Sequence, residues 1–185
     1  MFTKFLETYG SSESKKEIPS GDLEKIKSAI PVELLELLQE GEVSLMNGFL
    51  WIVNPNKYQE FVDELYIPFS TPSVCFARDA FGSFYLWEDN SIIYVDINSS
   101  KSEVIGTKIK VFFDLKMTDS GFLSKRTSYD KFLKVKDVLG ELSADECYGY
   151  FPLIGMGGAE KAENLKKVKI REYTSIVAQS LGQIQ

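Results

Sequence analysis

Three apolar runs set close together constrain this chain more than any other feature: SVCFARDA (73–80), SFYLWE (83–88) and SIIYVDI (91–97). Each is rich in β-branched and aromatic residues, which pack well on a pleated surface. Phe81-Gly82 and Asp89-Asn90 separate them, gaps that leave room only for tight reversals, so the three predict an antiparallel meander. A further short strand is expected around Glu103 to Ile105. FLWIV (49–53), flanked by Gly48 and Pro55, has the length and composition of a buried strand.

On either side of these runs the apolar spacing becomes helical. A short helix is expected at Phe2 to Tyr9, followed by the small, polar and charged GSSESKKEIPS (10–20), which reads as a mobile loop. Residues 21–41 predict two helical pieces, broken at Pro31 and stopped at Gly41. PNKYQEFVDELY (55–66) starts a helix with Pro55 in its first turn. IKVFFDLKM (109–117) and SYDKFLKVKDVLGEL (128–142) are helical in period, with Gly140 ending or bending the second. ECYGYFPLI (146–154) reads as a late strand, GMGG (155–158) as a turn, and IREYTSIVAQSLG (170–182) as a closing helix stopped by Gly182. The expected fold is therefore α+β: a bent antiparallel sheet of about five or six strands packed with helices, N-terminal helices, and a C-terminal closing helix. With no internal repeat and no linker, residues 1–20 form a helix and loop, and residues 21–185 one compact domain.

Composition narrows the chemistry. The chain has no histidine, which removes Ser-His-Asp and Cys-His nucleophilic schemes, histidine-ligated metals and the usual general base near neutral pH. Its N-terminus lacks the continuous apolar core of a secretory signal, which suggests a cytoplasmic protein. The longest uncharged stretch, 43–56, is too short and polar to span a bilayer. Cys75 and Cys147 are too far apart in sequence for a metal-ligand cluster and read as reduced structural thiols.

With 21 basic against 27 acidic residues, the net charge is −6, which disfavours a surface for nucleic acid or anionic lipid. The charge is uneven: residues 54–103 hold 3 basic against 8 acidic residues, while 104–136 hold 8 basic against 3 acidic. Glu60, Asp63, Glu64, Asp79, Glu88, Asp89 and Asp96 are therefore candidates for one negative, partner-binding face; the alternative is scattered, solvated charge. No metal or cofactor is expected.

Three other constellations are weaker. Asp96 with Asp114 and Lys116 loosely matches the two carboxylates and lysine of a metal-dependent nuclease, without the usual proline and with Asp114 in a helical segment. Gly155 to Gly158 with Lys161 fits neither phosphate-loop pattern and reads as a tight turn. Phe81, Phe84, Tyr85, Trp87 and Tyr94 could stack bases, but neighbouring carboxylates would repel a phosphate backbone, so a core face is the better reading. Lys166-Lys167-Val168-Lys169-Ile170-Arg171 is the one compact basic cluster and reads as a solvated face.

Four ordered blocks are more specific than any of these: NGFLWIVNPNKYQEF (47–61), FARDAFGSFYLWE (76–88), LSADECYGYFPLIGMGG (142–158) and ENLKKVKIREYTSIVAQSLG (163–182). They resemble the bacterial family with an N-terminal GAD-like domain and the C-terminal domain of type VI secretion immunity proteins, and more distantly the SUKH immunity superfamily. The resemblance implies a GAD-like part at about 21–105 and an immunity part at about 106–185. It further implies a non-enzymatic cytoplasmic protein that binds a cognate protein toxin, in the best-known case a secreted DNase. Tyr173 departs from the family pattern, which often has histidine there. An acidic inhibitor could enter the basic cleft of a DNase, which joins the two lines of reasoning. The alternatives are a SUKH-type adaptor that binds a host protein, or the nuclease above.

Overall fold

The computed structural model describes residues 2–10 and 15–185. The three apolar runs form β4 (Val74–Asp79), β5 (Phe84–Glu88) and β6 (Ser91–Asp96), joined as a meander. Asp89 and Asn90 both take left-handed backbone (φ 45° and 56°), the hairpin turn whose twist matches its strands. β7 (Lys101–Gly106) follows, and β1 (Lys15–Lys16), β2 (Glu42–Leu45) and β3 (Leu50–Ile52) precede. All seven lie in sequence order in one antiparallel sheet.

Helices cover both faces of this sheet, which is why the central strands are apolar almost throughout. On the first face lie α1 (Thr3–Tyr9), α3 (Val32–Gln39), α5 (Ile109–Val111) with its wider turn Phe112–Lys116, α6 (Ser120–Arg126) and α7 (Tyr129–Leu139). They bury Phe5, Leu34, Phe112 and Phe132 against Tyr85, Trp87 and Tyr94. The second face is covered by α4 (Pro55–Leu65) and α8 (Ile170–Leu181), whose Tyr58, Val62, Tyr173 and Val177 pack with Phe84, Leu86, Ile93 and Val95. Tyr85 and Leu86, adjacent in β5, thus belong to different cores, as a period of two requires. α2 (Ser20–Ile26) lies ahead of α3, and the break between them falls at Pro31 as expected.

The strand count is higher than expected, for three local reasons. β1 has two residues and sits where a mobile loop was expected; Lys15 pairs with Val43 and Lys16 with Glu42. The remainder of that expected loop, 11–14, lies outside the described residues. β2 was hidden inside the uncharged stretch at 43–56. A separate two-stranded sheet pairs β8 (Glu146–Tyr150) with β9 (Leu165–Lys169), and β9 carries three lysines where an apolar run would have announced it. α1 is also more firmly attached than a helix on a mobile loop: Phe2 stacks on Phe113 with ring centroids 4.5 Å apart. The Phe5 N–H donates to Asp114 at 3.2 Å.

Between β8 and β9 the glycine run is a tight turn. A Cβ on Gly158 would lie 2.1 Å from the Pro152 oxygen, and one on Gly155 would lie 2.6 Å from Leu181 Cδ1. Backbone packing demands glycine at 158, whereas at 155 the mobile end of the Leu181 side chain would have to shift. Gly157 is left-handed (φ 87°) with open space around it.

Candidate partner-binding surface

α4 is positioned by its first residues. The Asn54 side chain accepts the Asn56 N–H at 3.0 Å, and Pro55 occupies the first turn, where its missing N–H costs nothing. Pro55, Tyr58, Val62 and Leu65 form the inward row, leaving Glu60, Asp63 and Glu64 exposed on the outward side. Glu60 meets Arg171 of α8 at 3.2 Å. Asp63 accepts from the neutral Gln59 amide at 2.8 Å, and Glu64 from the Ser175 hydroxyl at 2.8 Å. Among the described residues neither Asp63 nor Glu64 makes an ion pair.

After α4 the chain crosses to β4 through a strap, residues 66–73. Its root is fixed twice. Tyr66 forms a bridge with Ile184 near the C-terminus, where the Ile67 N–H donates to the Ile184 carbonyl at 2.8 Å. The buried Glu88 carboxylate accepts from Tyr66 Oη at 3.2 Å and from the Ser70 N–H at 2.8 Å. On this pinned strap Ile67 and Phe69 point outward, with Phe69 69% exposed.

The seven predicted acids therefore do not make one face. Glu60, Asp63, Glu64 and Asp89 are exposed, Asp96 is half-buried, and Asp79 and Glu88 are sealed inside. Asp79 and Asp96 lie at the Phe84 end of β5 and Glu88 and Asp89 at the other, on the order of 13 Å away for a five-residue strand. Asp79 organises the β4–β5 reversal by accepting the Phe81 and Ser83 N–H groups at 2.8 and 3.0 Å and the Tyr94 hydroxyl at 2.9 Å. Burial pushes its carboxyl up to about 7 despite these donors. Asp96 serves the β6–β7 turn, accepting the Asn98 N–H at 3.0 Å and the Ser99 hydroxyl at 2.7 Å. Asp79 and Glu88 consequently leave the set that a partner could touch, because their oxygens are occupied internally.

The other constellations are structural. Asp96 and Asp114 line different cavities, Asp114 is occupied by the α1 backbone, and the Lys116 ammonium donates to the Ile105 carbonyl. Nothing brings these three residues to one centre. No group of three potential metal ligands occurs among the described residues. Phe81, Phe84, Tyr85, Trp87 and Tyr94 are all buried and form core, not a stacking platform. Lys166, Lys167 and Lys169 are exposed along β9, with Lys169 held by Asp145 at 2.7 Å. Cys75 and Cys147 are buried and unpaired, and burial pushes the Cys147 thiol up to about 12. Tyr173 joins two segments: its hydroxyl accepts the Tyr150 N–H at 3.1 Å and donates to Asn98 at 2.8 Å.

Sequence reasoning missed Arg78 as well as Ile67 and Phe69. Arg78 is fully buried, with its guanidinium 4.5 Å over the Trp51 ring and donating to the Asp79 and Ala144 carbonyls at 3.1 and 2.9 Å. A single arginine inside an apolar run was the available signal.

The comparisons agree with this architecture. The model of the GAD-like domain matches residues 1–101, more than half of the chain. The chain belongs to the GAD-like family. Behind the GAD-like part, the model of the T6SS immunity protein Tdi1 C-terminal domain matches residues 107–180, so the two together span the chain almost end to end. The GAD-like match reaches through α1, in keeping with the burial of Phe2 and Phe5. The crystal structure of Atu4351 from Agrobacterium tumefaciens superimposes with a TM-score of 0.78 at 19% identity, covering 97% of this chain and 89% of that one. At that identity the likeness concerns the fold. The search of curated proteins gave no match. No helix among the described residues is long and apolar enough to cross a membrane.

Proposed function

We propose that this chain is a non-enzymatic, cytoplasmic immunity protein that binds and neutralises a protein toxin, a nuclease effector of a type VI secretion system. The observation that carries the reading is the match of residues 107–180 to the immunity-protein model. The exposed acids of α4 support the choice of a nuclease: an enzyme that holds DNA needs a basic cleft, and among the described residues no cation pairs with Asp63 or Glu64. The occupied oxygens of Asp79, Asp114 and Glu88 support binding over catalysis, since each already serves a structural hydrogen bond.

Co-expression with the toxin encoded by the neighbouring gene tests this directly. Cells are expected to survive and the two proteins to co-purify. Continued killing together with no detectable complex would sink the reading.

A further inference from the structure

We propose that the toxin docks on the groove between α2, α4 and the 66–73 strap, with Phe69 as the aromatic anchor, Asp63 receiving a lysine or arginine of the toxin and Glu64 adding to the negative rim. The proposal rests on the immunity reading and adds to it a place and a chemistry. Phe69 is the sole aromatic among the exposed large apolar side chains of the described residues, and Ile67 stands two positions away on the same strap. An exposed phenyl ring is expensive to leave in water and forms a strong contact once covered. The strap presenting it is held by the buried Glu88 carboxylate and by the backbone bridge to Ile184, so little ordering entropy is lost when a partner covers it.

Beside the strap lies a groove of about 420 Å³, lined by Ile26, Ala29, Gln59, Asp63, Pro68 and Ser73 among others; Lys25, a cation in the same wall, is already paired with Asp22 at 3.0 Å. Charge complementarity selects the occupant. Glu60 is already paired with Arg171, whereas among the described residues Asp63, on the groove wall, and Glu64, which faces Ser175 of α8, receive only neutral donors. A basic segment fits: its aliphatic stem lies along Ile26, Ala29 and Pro68 while its cation reaches the Asp63 carboxylate. The surrounding charged residues form the rim that keeps water from the anchor.

The test uses the purified full chain and a catalytically inactive toxin from the neighbouring gene, with affinity and association rate read by surface-based kinetics. Phe69→Ala is expected to weaken binding about thirtyfold, the loss typical of an anchor side chain. D63K/E64K is expected to slow association about tenfold at low salt, with the difference shrinking at high salt. Val138→Ala, which alters an 81% exposed side chain on α7 across the sheet, is the control and should bind as wild type. Unchanged thermal midpoints would exclude misfolding, and D63K/E64K alters only exposed side chains should Phe69→Ala fail to fold. Wild-type binding with both variants within twofold of it, or an equal loss in Val138→Ala, would overturn the surface and spare the function. Absence of a wild-type complex would overturn both.

Discussion

Arg78 and Asp79 are neighbours in β4 and both sealed from water, yet they answer to different layers: Arg78 meets Trp51 and the Ala144 carbonyl, and Asp79 meets Tyr94 of the first core. Asp79 makes stability depend on pH. Its carboxyl titrates near 7 in the folded chain against an ordinary value of 3.8, because burial disfavours the anion. Between those values the folded state holds a proton that the unfolded chain has lost, so stability falls as pH rises through that window and levels off above it. Asp79→Asn should abolish that dependence, which across the whole window amounts to on the order of 4 kcal/mol. Urea midpoints of wild type and variant between about pH 4.5 and 7.5 would test this, and a difference independent of pH would refute it. The sequence could not separate Glu88 from Asp89, or Asp79 from a surface acid. Glu88 is buried because a strap some 18 positions earlier returns over it, and Asp79 because Tyr94 of β6 closes above it. Such tertiary cover leaves no trace in local spacing.

At the level of elements, the turn between β8 and β9 separates two uses of glycine. Gly158→Ala would drive a methyl into the Pro152 and Leu153 oxygens and should cost about 3 kcal/mol, a thermal midpoint lower by roughly 6–12 °C. Gly157→Ala meets no atom within 4 Å and pays only for its left-handed backbone, about 1 kcal/mol. Reversal of that order in thermal unfolding would show that the turn is not packed as described. α1 offers a second check. Asp114→Ala removes the acceptor of the Phe5 N–H, and the Phe5 amide should exchange with solvent about tenfold faster while β5 amides stay protected. The meander, α4 and α8 were legible because their apolar spacing and their turn residues agreed. β9 was not: Leu165 and Val168 are its two apolar side chains among lysines, and its identity comes from pairing with β8.

For the whole molecule, the family, the α+β class and the layered sheet were readable from long blocks of core and turn residues. The expected negative face was readable only in part, since sequence counts charges without saying which point inward. Four of the seven acids reach the surface fully, and three of those share the outward row of α4. Because the chain carries a net charge of −6, association with the basic toxin proposed above should slow as salt rises, by about tenfold or more between roughly 0.05 and 0.5 M. A rate indifferent to salt in stopped-flow mixing would show that encounter is not steered by charge. α4 divides labour between its two sides: Tyr58, Val62 and Leu65 grip the sheet, while Glu60, Asp63 and Glu64 are exposed and each makes one surface contact, with Arg171, Gln59 and Ser175. Exposed positions of that kind tolerate exchange at a few tenths of a kcal/mol. On the surface proposed above, a lineage that meets an altered toxin would rewrite its recognition on one helix flank and keep the same folding machinery beneath it.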